Sequence, residues 1–168
     1  ASTKPSGLTG IGLTPLDRRF GDDGSVTYST VEVVIDRENG RANITLKGPD
    51  GDVPSDMDAL QAQGAEAYIL RAAREFDDAL LHLRLNEREI GLMVFRTQGD
   101  SETLLAHEEL LLANKDHWLA NEILKYWKRV LKRVDMTSRS LVALVEHGSC
   151  YAGMFAELLW SVDRSYMM

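Results

Sequence analysis

The sequence has very little cysteine. Cys150 stands alone, so no disulfide can form within the chain, and no cysteine-based zinc site can be assembled. The four histidines are spread along the chain without metal-ligand spacing, and no metal site is expected. A chain so poor in cysteine fits a reducing cytoplasm. No apolar run approaches the length that spans a bilayer, and the N-terminus has no basic stretch leading into an apolar core, so neither a membrane span nor a signal peptide is expected. Basic residues are also short: 19 Lys and Arg face 26 Asp and Glu, for a net charge of -7. That deficit argues against partners that present phosphate, whether nucleic acid or an anionic membrane.

What remains is the composition of one soluble globular domain, 44% hydrophobic and 27% charged. One local exception to the acidic balance is the cluster Lys125, Lys128, Arg129, Lys132 and Arg133, which reads as the solvated face of a helix. The opening stretch, "ASTKPSGLTGIGLTPL", is too rich in Ser, Thr, Gly and Pro to bury much surface, so residues 1–24 read as a linker and 25–168 as the folded part.

From Tyr28 the β-branched runs "YSTVEVVID" and "RANITLKG" flank Asn39-Gly40, a pair suited to the positive φ of a tight hairpin turn. "PDGDVPSD" reads as a loop. Ile69, Ala73, Phe76, Leu80 and Leu83 then recur in steps of three and four, one apolar stripe on a helix. "EIGLMVFRTQGD" reads as a buried strand, Leu119, Ile123, Tyr126, Val130 and Val134 mark a second long helix, "SLVALVE" a further strand and "GMFAELLWSV" a last helix. The order hairpin, helix, strand, helix, strand, helix predicts an α/β layer with parallel crossovers. Ligands of such sheets gather beyond the carboxyl ends of the strands, so "RTQGD" and "EHGSCYAG" should share one rim.

At that rim Gly148, Ala152 and Gly153 leave the backbone bare where a helix begins, and helix-start amides stabilise negative charge. Two such amides aimed at one oxygen make an oxyanion hole. An ordinary tight turn that lets the helix pack close to its sheet explains the same residues. So does a nucleophile elbow with Cys150 as nucleophile, although no His follows it in the chain. Glu146, at the end of an apolar strand, is a candidate for proton transfer or a solvated strand end. Cys150 is a candidate thiolate at a helix entrance or a small buried hydrophobe. His147 replaces a turn residue or shuttles a proton, His107 and His117 read as surface residues, and Trp118, Trp127 and Trp160 as core.

The segment "LVALVEHGSCYAGMFAELLWSVDRS" resembles the crotonase, or enoyl-CoA hydratase/isomerase, superfamily, whose members carry a strand, an Asn-Gly turn, a Gly-Gly step and a helix that opens with Glu-Leu. His147-Gly148 stands for the first turn, Ala152-Gly153 for the second, and Glu157-Leu158 with Asp163 for the helix. The resemblance implies a crotonase-like ββα spiral, incomplete, with an N-terminal β-hairpin. The strings "LTPL", "EIG", "SRSL" and "DRSYM" further resemble the ring-opening lyases of that superfamily that act on oxidised benzoyl-CoA. From this follow the expectations of an acyl-CoA thioester substrate, a homodimer, no metal or redox cofactor beyond the CoA of the substrate, Gly153 N–H as a substrate-binding amide, and Glu146, Cys150 and Glu157 as candidate catalytic groups. Two departures stand out. Glu157 lies one position beyond the usual catalytic glutamate, a rotation of about 100° on a helix. The earlier loop reads "RTQGDSETLLAHEE", without the Ala-Gly-Ala-Asp pattern that supplies a second oxyanion amide. A catalytically silent module that serves dimerisation is therefore the alternative.

Overall fold

A computed structural model describes residues 10–168. Seven strands form one sheet in chain order: β1 (Arg19–Phe20), β2 (Val26–Thr27), β3 (Val31–Asp36), β4 (Arg41–Lys47), β5 (Leu92–Gln98), β6 (Ser140–Val145) and β7 (Arg164–Met167). The first four pair antiparallel, whereas β4 through β7 run parallel, because each of the later connections carries a helix. Residues 1–9 of the segment read as a linker lie outside the described residues; within its remainder, Arg19–Phe20 pairs with β2.

The β3–β4 hairpin is present, but its turn differs from the sequence expectation. Asp36 pairs with Arg41, leaving a four-residue loop in which only Gly40 takes a positive φ, of 59°. Asn39 instead donates from its backbone and side chain to Asp36, which holds the loop as a wider turn.

Among the described residues the helices are α1 (Met57–Gln63), α2 (Tyr68–Leu85), α3 (Ser101–Ala113), α4 (Trp118–Asp135) and α5 (Gly153–Ser161). The stripe Ile69, Ala73, Phe76, Leu80, Leu83 on α2 is fully buried, and Leu119, Ile123, Val130 and Val134 of α4 pack beside it. Phe76 meets Phe95 of β5 edge-on at 6.1 Å, and Trp127 bridges Phe76 and Phe155 of α5. The Trp127 indole donates to the Ile69 carbonyl at 2.9 Å, so the ring is both packed and hydrogen-bonded. Trp160, expected in the core, is 82% exposed: at its position on α5 it lies opposite Phe155 and outside the buried stripe.

Two helices fall where loops were expected. α1 begins at Asp56, whose carboxylate accepts from Ala59 N–H at 2.8 Å. α3 begins at Asp100, which accepts from both the N–H and the hydroxyl of Thr103 at 2.7 Å. Such caps satisfy amides that the first helical turn leaves free. α3 hides from periodicity because leucines occupy several of its faces. His107 is consequently buried on α3, and His117 caps α4 through Nδ1; neither is the free surface residue that the sequence suggested.

Candidate active site

The carboxyl ends of β4, β5 and β6 meet at one rim, as the strand order requires. Gly48 N–H donates to Gln98 O at 2.7 Å, and Gly99 N–H reaches Gly148 O at 3.4 Å. Gly99 has a φ of 141°, and a Cβ there would strike the Gly48 backbone at 2.9 Å, so the two segments approach this closely only because residue 99 is glycine. "RTQGD" and "EHGSCYAG" are thus neighbours.

The turn between β6 and α5 is tied down by its own hydrogen bonds. Ser149 N–H donates to Glu146 O, Ala152 N–H to Cys150 O, and Cys150 N–H to Thr97 Oγ1 at 3.0 Å. Gly153 N–H is not among these donors. Gly153 itself has a φ of 48°, and a side chain there would collide with the carboxylate of Glu108 on α3. Met154 N–H, the next amide of α5, lies near enough to that carboxylate to favour its ionised form. Burial raises its pKa above the ordinary glutamate value, the Met154 amide opposes this, and the negative charge of Glu157 adds to it. The start of α5 is therefore covered by Glu108, with Glu157 within electrostatic reach. A helix N-terminus faced by a carboxylate whose pKa is raised can stabilise a developing oxyanion and exchange a proton beside it.

The remaining candidates separate. Glu157 is exposed on α5, and its charge reaches Glu108. Glu146 does not join it. Its carboxylate accepts from Arg96 Nε at 3.1 Å, and Arg96 also holds Asn43, on the sheet face turned away from the α2–α4 layer. Cys150 is completely buried against Gly48. Burial pushes its thiol up, which outweighs the hydrogen bond to Thr97 and runs against the reading of a helix-stabilised thiolate. His147 is exposed. Among the described residues no cluster of three His, Cys, Asp or Glu is placed to hold a metal, and no helix is long and apolar enough to cross a membrane.

Glu108 escaped the sequence reading because its helix did. Once Asp100 is taken as a cap, Leu104, Glu108 and Leu111 fall at i, i+4 and i+7 on one face, with His107 beside them. Two polar residues on a stripe whose leucines are fully buried would have marked the site.

Comparison with known proteins agrees with this architecture. The chain superposes on an enoyl-CoA hydratase/carnithine racemase from Magnetospirillum magneticum with a TM-score of 0.56, at 15% identity, over 84% of this chain and 47% of that one. It matches an enoyl-CoA hydratase from Streptomyces coelicolor A3(2) with a TM-score of 0.51 and 15% identity, over 98% and 50% of the two chains. Its fold is that of the enoyl-CoA hydratases. In sequence the chain is 38% identical over 167 residues to the benzoyl-CoA-dihydrodiol lyase of Aromatoleum evansii, which takes in 99% of this chain. The chain spans about 30% of the length of that curated relative. No protein-family model matches it. The similarity to that lyase extends over nearly the whole of this chain.

Proposed function

We propose that this chain forms part of a lyase acting on CoA thioesters, and that its reaction is the ring opening of an oxidised benzoyl-CoA, with CoA entering only as part of the substrate. The observation that carries the reading is the start of α5, where Gly153 and Met154 lie against the Glu108 carboxylate at the rim of an enoyl-CoA hydratase fold. In the proposed reaction the thioester oxygen takes the place of the Glu108 carboxylate at their amides. Negative charge that develops on that oxygen is stabilised by the unpaired N–H groups and the helix dipole. Glu108, displaced by a small side-chain rotation and biased toward its protonated form by burial, delivers or receives the proton, and Glu157 tunes it by charge. Glu146 and Cys150 play structural parts, the first in an ion pair on the far sheet face, the second as a buried apolar contact.

The 38% identity to a benzoyl-CoA-dihydrodiol lyase supports the choice of acyl group. A homodimer and a cytoplasmic location belong to the same proposal and rest on the family resemblance. The test uses the full-length protein: the dihydrodiol thioester of benzoyl-CoA should be consumed with release of formate, and benzoyl-CoA should raise the melting temperature while free benzoate does not. Absence of both effects would remove the proposal.

One observation favours a second reading, a silent crotonase-like module. The end of β5 runs from Gly99 and Asp100 directly into α3, without the Ala-Gly-Ala-Asp loop that supplies a second oxyanion amide in the family it resembles. On that reading Glu108→Gln in the full-length protein would leave turnover unaltered while Gly153→Ala disturbed assembly.

A further inference from the structure

Helix α3 carries more leucine than its core face uses. Leu104, His107 and Leu111 form the buried stripe that packs the helix onto the domain. Leu105 and Leu112 do not belong to it: they are 40% and 53% exposed. They stand at i−3 and i+4 from Glu108, so the three side chains share one face of α3, a second stripe about 10 Å long with the Glu108 carboxylate in its middle. This stripe reaches the start of α5 directly. A Cβ on Gly153 would lie 3.5 Å from Leu105 Cδ2, beside the Glu108 carboxylate that it would strike.

A single exposed leucine needs no explanation, but two in line on either side of one carboxylate are apolar surface that folding of the described residues does not use. Their place narrows what covers them. The stripe begins at Gly153, where the reacting carbonyl of the proposed substrate sits, and it leads away from that point along α3. The helix around it is acidic: Glu102 and Glu109 are exposed near Glu108, and the helix holds no Lys or Arg. Such a surface repels the phosphates of a CoA nucleotide. The part of a thioester that suits the stripe is therefore its uncharged acyl end.

We infer that Leu105 and Leu112 are specificity-determining residues, an apolar wall along which the acyl group of the thioester lies, and that the wall selects by acyl length. The inference rests on the CoA-thioester reading above and deepens it, from the reacting carbonyl to the group attached to it. Leu105, beside Gly153, meets the first carbons beyond the carbonyl. Leu112 stands about two helical turns further on and meets only the far end of a long acyl group. Each carbon laid against the wall takes apolar surface out of water on both partners, so affinity grows with the length of the group until the wall ends.

The test is calorimetric titration of the full-length protein with three thioesters that differ only in the acyl group: acetyl-CoA, cyclohexane-carbonyl-CoA and octanoyl-CoA. Leu105→Gln, which keeps side-chain length and helix preference, should weaken the two larger thioesters by about 5-fold and leave acetyl-CoA within about 2-fold. Leu112→Gln should weaken octanoyl-CoA alone, by about 3-fold, and Leu105→Met should recover most of the loss at Leu105. Without ligand, both glutamine variants should melt at the temperature of the unaltered protein, because the leucines they replace are exposed. Losses that do not grow with acyl length in either variant overturn the wall and leave the CoA-thioester reading standing. So does a lower melting temperature, which would show that another part of the protein, or a second copy, covers the stripe. Binding of none of the three thioesters by the unaltered protein overturns that reading and the wall together.

Discussion

Glu75 and Glu108 are both glutamates on helices of the same layer, and their surroundings differ in kind. Glu75, 3% exposed on α2, accepts from the hydroxyl of Ser29 at 2.7 Å and from both the N–H and the hydroxyl of Thr30 at 2.6 Å and 2.5 Å. Every donor aimed at it comes from the turn before β3, so this carboxylate fastens the hairpin to the helix. Glu108 has only the nearby Met154 amide to favour its charge, against a like-charged neighbour and burial that works against its ionised form. A carboxylate that is fully provided with donors is structural; one that is left short of them, at a helix start on the rim of the sheet, is available for chemistry. The same contrast separates Tyr68, whose hydroxyl donates to the Lys47 carbonyl, from His107 beside it, whose nitrogens find no partner among the described residues.

Several substitutions break or sharpen that contrast. The largest stability effect is expected at Glu75: Glu75→Ala strands three donors and should cost about 3 kcal/mol in chemical denaturation, with no change in the affinity of folded protein for acyl-CoA. Gly153→Ala should cost about 1–2 kcal/mol from the left-handed backbone alone, before the collision with Glu108 is counted, and should also impair acyl-CoA binding. The pH dependence has a definite sign. Because the folded pKa of Glu108 is raised, the stability it contributes is complete below the ordinary glutamate value of 4.5 and is lost as pH rises through the folded value. Glu108→Gln should therefore flatten that segment of the stability profile, whereas Glu157→Gln should shift it to lower pH. The smallest effect belongs to Glu146→Gln, which breaks a half-exposed ion pair with Arg96 and should change stability by about 0–1 kcal/mol and turnover by less than about 2-fold.

How far the sequence revealed this arrangement follows from how each element advertises itself. α2 and α4 carry single apolar stripes, and β5 and β6 are short apolar runs, so their types and order were legible. The shared rim followed from that order. α3 was not legible by periodicity, since Leu104, Leu105, Leu110, Leu111 and Leu112 wrap around it, and only the cap at Asp100 betrays it. Gly153 was singled out because a bare backbone at a strand-to-helix junction has few uses. Its partner Glu108 was hidden for want of its helix, about forty-five positions earlier in the chain. Glu146 lies apart from Gly153 for a different reason: side chains alternate across a strand, and the sequence does not say which face the residue after β6 continues.

The central claim is that the Glu108 carboxylate over the start of α5 is the proton-transfer group, and single-turnover kinetics of the full-length protein with the dihydrodiol thioester tests it most directly. Glu108→Gln should slow the chemical step by about 100-fold or more while Glu75→Gln, at equal occupancy of folded protein, leaves it unchanged. An unaltered chemical step in Glu108→Gln would contradict the account.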